Sequence, residues 1–212
     1  MFFKNIPLFA GLSEADHDLL LRVAVRNNYP RHKLLVREGD PGDRFYLLRK
    51  GRAKVFLSDS NGREVILAIL TPGDFFGEMA MIDEEPCSAS VMSLEESEFV
   101  SIGKAEFQKA ISSSTDMAMS MLKALSQRLR EADQQIESLA LKDVQSRVEQ
   151  ALYAIAEPED NQLVIPATIT HRDIAAMVGA SREMVTRVFR TLEATGIIRV
   201  VGRRTTITRA TQ

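Results

Sequence analysis

The spacing of apolar and polar positions takes four forms in turn along the chain. Between Phe9 and Ala24 apolar residues recur at helical intervals, and Ser13 stands as an N-cap with Asp16 three positions on, so the first thirty residues are expected to be helical. From Leu34 to Ile102 the text becomes short apolar runs, among them Phe45–Leu48, Ala53–Leu57, Val65–Leu70 and Phe99–Ile102. Gly39, Gly51, Gly62 and Gly73 punctuate them 12, 11 and 11 residues apart, and Asn61-Gly62 is a hairpin signal. Regular short strands with turns at this spacing predict an antiparallel barrel or double-sheet roll. A long helix is then expected from Met117 to Leu141. In it Ala118, Leu122, Leu125, Leu129, Ala132, Ile136 and Leu139 alternate steps of 4 and 3, an a/d seam. One apolar stripe could pack on the roll. Strict 3.5 spacing over three heptads instead favours a partner helix, which in a homodimer is the chain's own copy.

Beyond Lys142 the pattern shortens again. Val144, Val148, Leu152 and Ile155 mark one helix, the loop Glu157–Asn161 ends it, and Leu163–Ile165 is a short strand. Thr170 opens the next helix with Asp173 placed to complete a capping box. Gly179-Ala180 turns the chain, and Ser181 caps a helix whose buried side is Val185, Val188, Phe189 and Leu192. Ile197–Val201 and Thr205–Thr208, joined through Gly202-Arg203-Arg204, read as a closing hairpin. Helix, short turn, helix and small wing make a winged helix-turn-helix. The expected fold is therefore α+β in three parts: a roll over 1–112, a dimerisation helix over 113–141, and the winged module over 142–212.

Composition sharpens this picture through charge. The 212 residues carry 27 basic and 29 acidic side chains, a net of −2. Residues 166–212 hold eight arginines against three acidic residues, a net of +5, which leaves 19 basic and 26 acidic residues, a net of −7, on the rest. A basic module on an acidic body suggests a polyanion partner; a solvated basic face is the plain alternative. One cysteine excludes an intrachain disulfide framework and suits a reducing cytoplasm. No apolar run reaches the roughly 20 residues of a membrane span, so no membrane partner is expected. Three scattered histidines (His17, His32 and His171) offer no metal site.

With Val185, Val188, Phe189 and Leu192 inward, the last helix turns Arg182, Glu183, Thr186, Arg187 and Arg190 outward. Glu183 and Arg187 are i,i+4 neighbours. An arginine fork suits guanine O6/N7 and a glutamate accepts from cytosine N4, each such pair discriminating by roughly 1–3 kcal/mol. A surface ion pair between the two, worth under about 1 kcal/mol, is the alternative. Arg182, Glu183 and Arg187 are the candidate base readers. Thr170, His171, Arg172, Ser181, Thr186, Arg203 and Arg204 are the candidate phosphate contacts, which fix register on double-stranded DNA without reading sequence.

The stretch from Ile169 to Arg187 closely resembles the helix-turn-helix of the bacterial CRP/FNR transcription regulators. Gly73-Asp74-Phe75-Phe76-Gly77-Glu78-Met79-Ala80 resembles the opening of their phosphate-binding cassette. The resemblance covers nearly the whole chain. It implies a cyclic-nucleotide-binding-like jelly roll, a homodimer on a palindromic site with TGTGA-like half-sites, and RNA polymerase among the partners, with Glu157–Asn161 where the family touches the polymerase. The implied effector pocket is Gly77, Glu78, Cys87, Ser88, Ala132 and Asp133. In it Glu78 stands at the ribose position, while Cys87 replaces the phosphate-binding arginine and Ala132-Asp133 replace the adenine-contacting Thr-Ser pair. A buried phosphate without its arginine loses a charge-assisted contact of about 1.5–3 kcal/mol. Cyclic AMP is accordingly expected to bind weakly or not at all, which leaves a cyclic dinucleotide, another nucleotide, or no cofactor. Without further cysteines an Fe–S cluster is excluded, and Cys87 is either a redox sensor or, more simply, a small buried hydrophobe.

Two other function classes compete with a DNA-binding regulator. A cupin-like roll enzyme needs clustered metal ligands that residues 34–102 lack, so no catalytic residue is expected. A cyclic-nucleotide- or cyclic-dinucleotide-binding signalling module without DNA function leaves Arg182-Glu183-x-x-x-Arg187 unexplained.

Overall fold

The computed structural model describes residues 6–9 and 12–208, the side chains of Pro7, Ala15 and Leu19 excepted. The described residues divide into two compact units, one of those up to 55 together with 69–133, the other of 56–68 together with those from 134 onward.

In the first unit a 3-10 turn, Pro7–Phe9, precedes helix α1, Glu14–Val23. The Ser13 hydroxyl accepts the Asp16 amide, as expected of its cap position. The helix stops there. Val25–Tyr29, expected to continue it, is instead strand β1, antiparallel to a later strand in a register from Val25 opposite Ser101 to Tyr29 opposite Ser97. The reason is tertiary: the β-branched and aromatic ends of a polar pentapeptide are stabilised by a neighbouring ladder that local spacing does not reveal.

The strands that follow are β2 (Leu34–Val36), β3 (Arg44–Lys50), β4 (Ala53–Ser58), β5 (Glu64–Leu70), β6 (Phe75–Phe76), β7 (Ser90–Ser93) and β8 (Ser97–Gly103). They form two four-stranded sheets, ordered β1-β8-β3-β6 and β2-β7-β4-β5, the expected double-sheet roll. All four punctuating glycines have positive φ, the backbone that tight turns between strands require. At Gly51 a side chain would also collide, its Cβ falling 2.7 Å from the Glu96 carbonyl oxygen.

Two short helices escaped the sequence reading: α2, Glu78–Ile82, and α3, Lys104–Ser113. The roll core is aromatic. Phe45 stacks on Phe107 at 4.7 Å and on Phe75 at 5.4 Å, with Leu47, Ile102, Met117 and Met121 packed around them. Met117 and Met121 come from the first turns of the long helix α4, Thr115–Leu141. Leu125 also packs partly against this core, so one expected seam position is shared with the roll.

The second unit contains helix α5, Val144–Ile155, capped by Asp143, whose carboxylate accepts the Ser146 amide. Glu157–Asn161, expected as a loop, is strand β9, Glu157–Glu159, and a tight turn with φ of 48° at Asp160 and 61° at Asn161. It pairs back on β10, Gln162–Ile165. Asparagine and aspartate tolerate left-handed backbone, which is what makes a two-residue hairpin affordable here. Helices α6, His171–Val178, and α7, Arg182–Ala194, follow. Strands β11, Ile198–Val201, and β12, Arg204–Ile207, complete a sheet ordered β11-β12-β10-β9. This is the expected winged helix-turn-helix. The end of α4 belongs to this unit, with the Ser138 hydroxyl donating to Gln150 at 3.0 Å and Arg147 to the Leu139 carbonyl at 3.2 Å.

Candidate nucleic-acid interface and effector pocket

Local rules place the helix-turn-helix. The Thr170 hydroxyl and the Asp173 carboxylate satisfy each other's backbone amides, which fixes where α6 starts. Gly179 ends it in the left-handed region, and its Cβ position lies 3.2 Å from Leu139, so a larger residue would press on α4. The Ser181 hydroxyl accepts the Met184 amide and starts α7 one short turn later.

Val185, Val188, Phe189 and Leu192 are buried, and the opposite side of α7 presents exposed Arg182, Glu183, Arg187 and Arg190. Among the described residues no ion pair joins Glu183 to Arg187, so both side chains are open to an outside partner. Ser181, Arg172 and Arg203 are exposed as well. Five of the expected phosphate contacts are engaged within the chain, Ser181 through its cap to Met184 and His171 through Thr186. The Thr170 hydroxyl serves the capping box. The Thr186 hydroxyl donates to the Arg182 carbonyl at 2.9 Å and lies 3.1 Å from His171 Nδ1. Arg204 Nη1 donates to Glu159 Oε1 at 3.0 Å across the wing sheet. A cavity of about 450 Å³ opens beside that pair, between Glu157, Val164, Pro166 and the wing arginines.

In the roll, Gly77 has φ 87°, and a Cβ there would stand 2.4 Å from the Arg44 carbonyl oxygen. Only glycine lets the chain pass there and start α2 with Glu78. Glu78 is only 2% exposed. Its Oε1 accepts from Arg128 Nη1 at 2.6 Å, while its Oε2 is buried without a partner. Arg128, on α4 one turn before Ala132, also donates to the Phe75 carbonyl and lies 4.4 Å above the Phe75 ring. Heptad spacing alone shows Arg128 only as a charged position of α4 outside the apolar seam. The signal that could have found it is chemical: a carboxylate buried on a core element needs a cation.

Cys87 is half-buried and backbone-bonded to Gly39 and Asp40. Burial first, then the charges of Asp40 and Asp43, push its thiol above the ordinary range. Two carboxylates, Asp40 and Asp43, thus stand beside the Cys87 thiol. Ser88 is exposed, its hydroxyl 3.7 Å from the Met79 sulfur. Ala132 and Asp133 are exposed on α4, so of the six expected pocket residues the structure buries Glu78 most deeply and pairs it with a seventh. Along α4, Leu122, Leu129, Ile136 and Leu139 are exposed, Leu129 and Ile136 by about two thirds at 64% and 65%. Ala132 lies open among them. Among the described residues no three potential ligands cluster around a metal position, and no helix is long and apolar enough to cross a membrane.

Residues 26–114 match the cyclic nucleotide-binding domain, and residues 146–212 match the Crp-like helix-turn-helix domain. The chain is 34% identical over 197 residues to the cyclic AMP receptor protein of Thermus thermophilus, covering 93% of this chain and 90% of that protein. It is 30% identical over 200 residues to the CRP-like cAMP-activated global transcriptional regulator of Mycobacterium tuberculosis, covering 92% and 89%. Among solved structures it is similar to the c-di-GMP responsive global regulator CLP of Xanthomonas campestris, with a TM-score of 0.77 at 22% identity over 93% of this chain and all of that one.

Proposed function

The chain belongs to the CRP/FNR family of transcription regulators, and from that premise we propose that it acts as a homodimer that reads a palindromic DNA site through α7. The observation that carries the reading is the exposed, unpaired face of Arg182, Glu183 and Arg187 opposite a fully buried apolar face. Arg182 and Arg187 would take guanines and Glu183 a cytosine of TGTGA-like half-sites. Exposed Arg172, Ser181 and Arg203 would hold flanking phosphates, joined by His171 and, once released from Glu159, Arg204. Two such helices need a separation of about 34 Å to enter successive major grooves. The α4 stripe of Leu122, Leu129, Ala132, Ile136 and Leu139 supports self-association as the means, with Leu125 divided between roll and seam. Strand β9 is the surface offered to RNA polymerase.

The roll serves as sensor, and α4 couples it to the winged module. Its effector is a nucleotide other than cyclic AMP. Three features support this: the neutral Cys87 thiol where a phosphate would need a cation, Asp40 and Asp43 beside it, and Arg128 already engaged by Glu78. Relatives respond to different nucleotides by name, cyclic AMP in M. tuberculosis and c-di-GMP in X. campestris, so family membership leaves the ligand to the pocket.

Fluorescence polarisation with a symmetric TGTGA duplex at moderate salt tests the reading. Specific binding is expected, with Arg182→Ala relaxing discrimination at one base pair by about 1–3 kcal/mol and Arg203→Ala weakening all sequences alike. Absence of any sequence-specific shift, with or without candidate nucleotides, refutes DNA reading and favours a signalling module. Micromolar cyclic AMP binding by calorimetry refutes the effector assignment.

A further inference from the structure

His171, the first residue of α6, is built into the recognition helix. Its ring centroid lies 4.2 Å from that of Phe189, tilted by 46°, and its Nδ1 is 3.1 Å from the Thr186 oxygen. The Thr186 proton is already committed to the Arg182 carbonyl. That oxygen therefore accepts, so Nδ1 carries a proton and Nε2 is the ring atom left for an outside partner. The chain His171–Thr186–Arg182 thus runs from the start of α6 to the first turn of the base-reading face.

The surrounding charges are few. On α7 the nearest is Arg182. On α6 itself Arg172 is exposed and Asp173 is turned to Thr170. On α5, the other helix packed against α6, Arg147 is directed to the Leu139 carbonyl and Glu149 accepts from Gln145. Burial first, and the charge of Arg182 second, hold the imidazole below its usual value, so the ring is neutral at pH 7 in the free protein.

We propose that His171 is both the positioning residue of the recognition helix and a proton-linked phosphate contact: Nδ1–H holds the Arg182 turn throughout, and Nε2 takes a proton from solvent when a DNA phosphate reaches it. An adjacent phosphate favours the cationic ring, so binding and protonation reinforce each other. This rests on α7 being the DNA-reading helix.

The test is polarisation of the full-length protein on the symmetric duplex from pH 8.5 to 5.5 at fixed ionic strength. Affinity is expected to rise as pH falls through the imidazole range, by at most about tenfold per pH unit for each His171, and so at most about a hundredfold for the homodimer on both half-sites. Calorimetry in two buffers of different ionisation enthalpy should report uptake of up to one proton per His171. His171→Gln is expected to lose that slope. A slope equal to that of the wild type, or no proton uptake by the wild type, overturns the proposal. Should no duplex bind, the DNA-reading premise fails separately, and NMR of the free protein still decides the positioning role. A His171 ring titrating at or above the ordinary value, or Thr186→Val leaving its tautomer unchanged, overturns it.

Discussion

Replacing Arg128 by alanine would strand a carboxylate in the roll. Glu78 is 2% exposed and already has one unpartnered oxygen; without Arg128 its second oxygen loses its partner too. Removing one member of a fully buried pair costs about 3–5 kcal/mol. The Arg128 side chain is 37% exposed, so solvent screening reduces that to about 2 kcal/mol. The hydrogen bond from the guanidinium to the Phe75 carbonyl contributes about 1 kcal/mol after the same discount, and the contact with the Phe75 ring less than that. We expect Arg128→Ala to destabilise the roll by about 3 kcal/mol, and Arg128→Lys by about half as much, because an ammonium keeps the charge but not the fork. Glu78→Gln in the Arg128→Ala background should recover part of the loss, giving a coupling energy of about 1.5 kcal/mol in the double-mutant cycle. The measurement is guanidinium unfolding of the full chain at fixed protein concentration, followed by tyrosine fluorescence. There is no tryptophan, and two of the three tyrosines, Tyr29 and Tyr46, lie in the roll. A loss below about 0.5 kcal/mol, or a coupling near zero, would show that Arg128 is a solvated surface residue and that Glu78 needs no internal cation.

Three further outcomes follow from the same geometry. Ile136→Glu should leave helix content intact by circular dichroism while turning the dimer into a monomer in sedimentation, with loss of two-half-site binding; a persisting dimer would place the interface elsewhere. Glu159→Gln frees Arg204 and should raise DNA affinity roughly two- to fivefold at low salt, the gain vanishing at high salt as a half-exposed ion pair requires; no gain would mean that Arg204 stays off the backbone. Cys87, held as the thiol by burial and two aspartates, should react far more slowly with Ellman's reagent at pH 7 than in denaturant; rapid native labelling would restore it as a redox sensor.

By itself the sequence determined those features whose causes lie within about four residues. The Thr170–Asp173 box, the Ser13 and Ser181 caps, the left-handed Gly179 and the positive-φ turn glycines stand where the residue types put them, because a cap or turn is a local bond between neighbours. The apolar stripes of α4 and α7 were legible for a similar reason, since helical period alone sorts their faces. What the tertiary structure decided was partnership at long range. It drew Val25–Tyr29 out of a helix and into a ladder with residues some seventy positions away, and it turned Leu125 partly into the roll. It joined Glu78 to Arg128 across 50 residues and Glu159 to Arg204 across 45. It also folded His171, expected only as a phosphate contact, onto Thr186 of the neighbouring helix. Such pairings are settled by which elements pack together and by the need to satisfy buried charge there, conditions that arise only once the core excludes water.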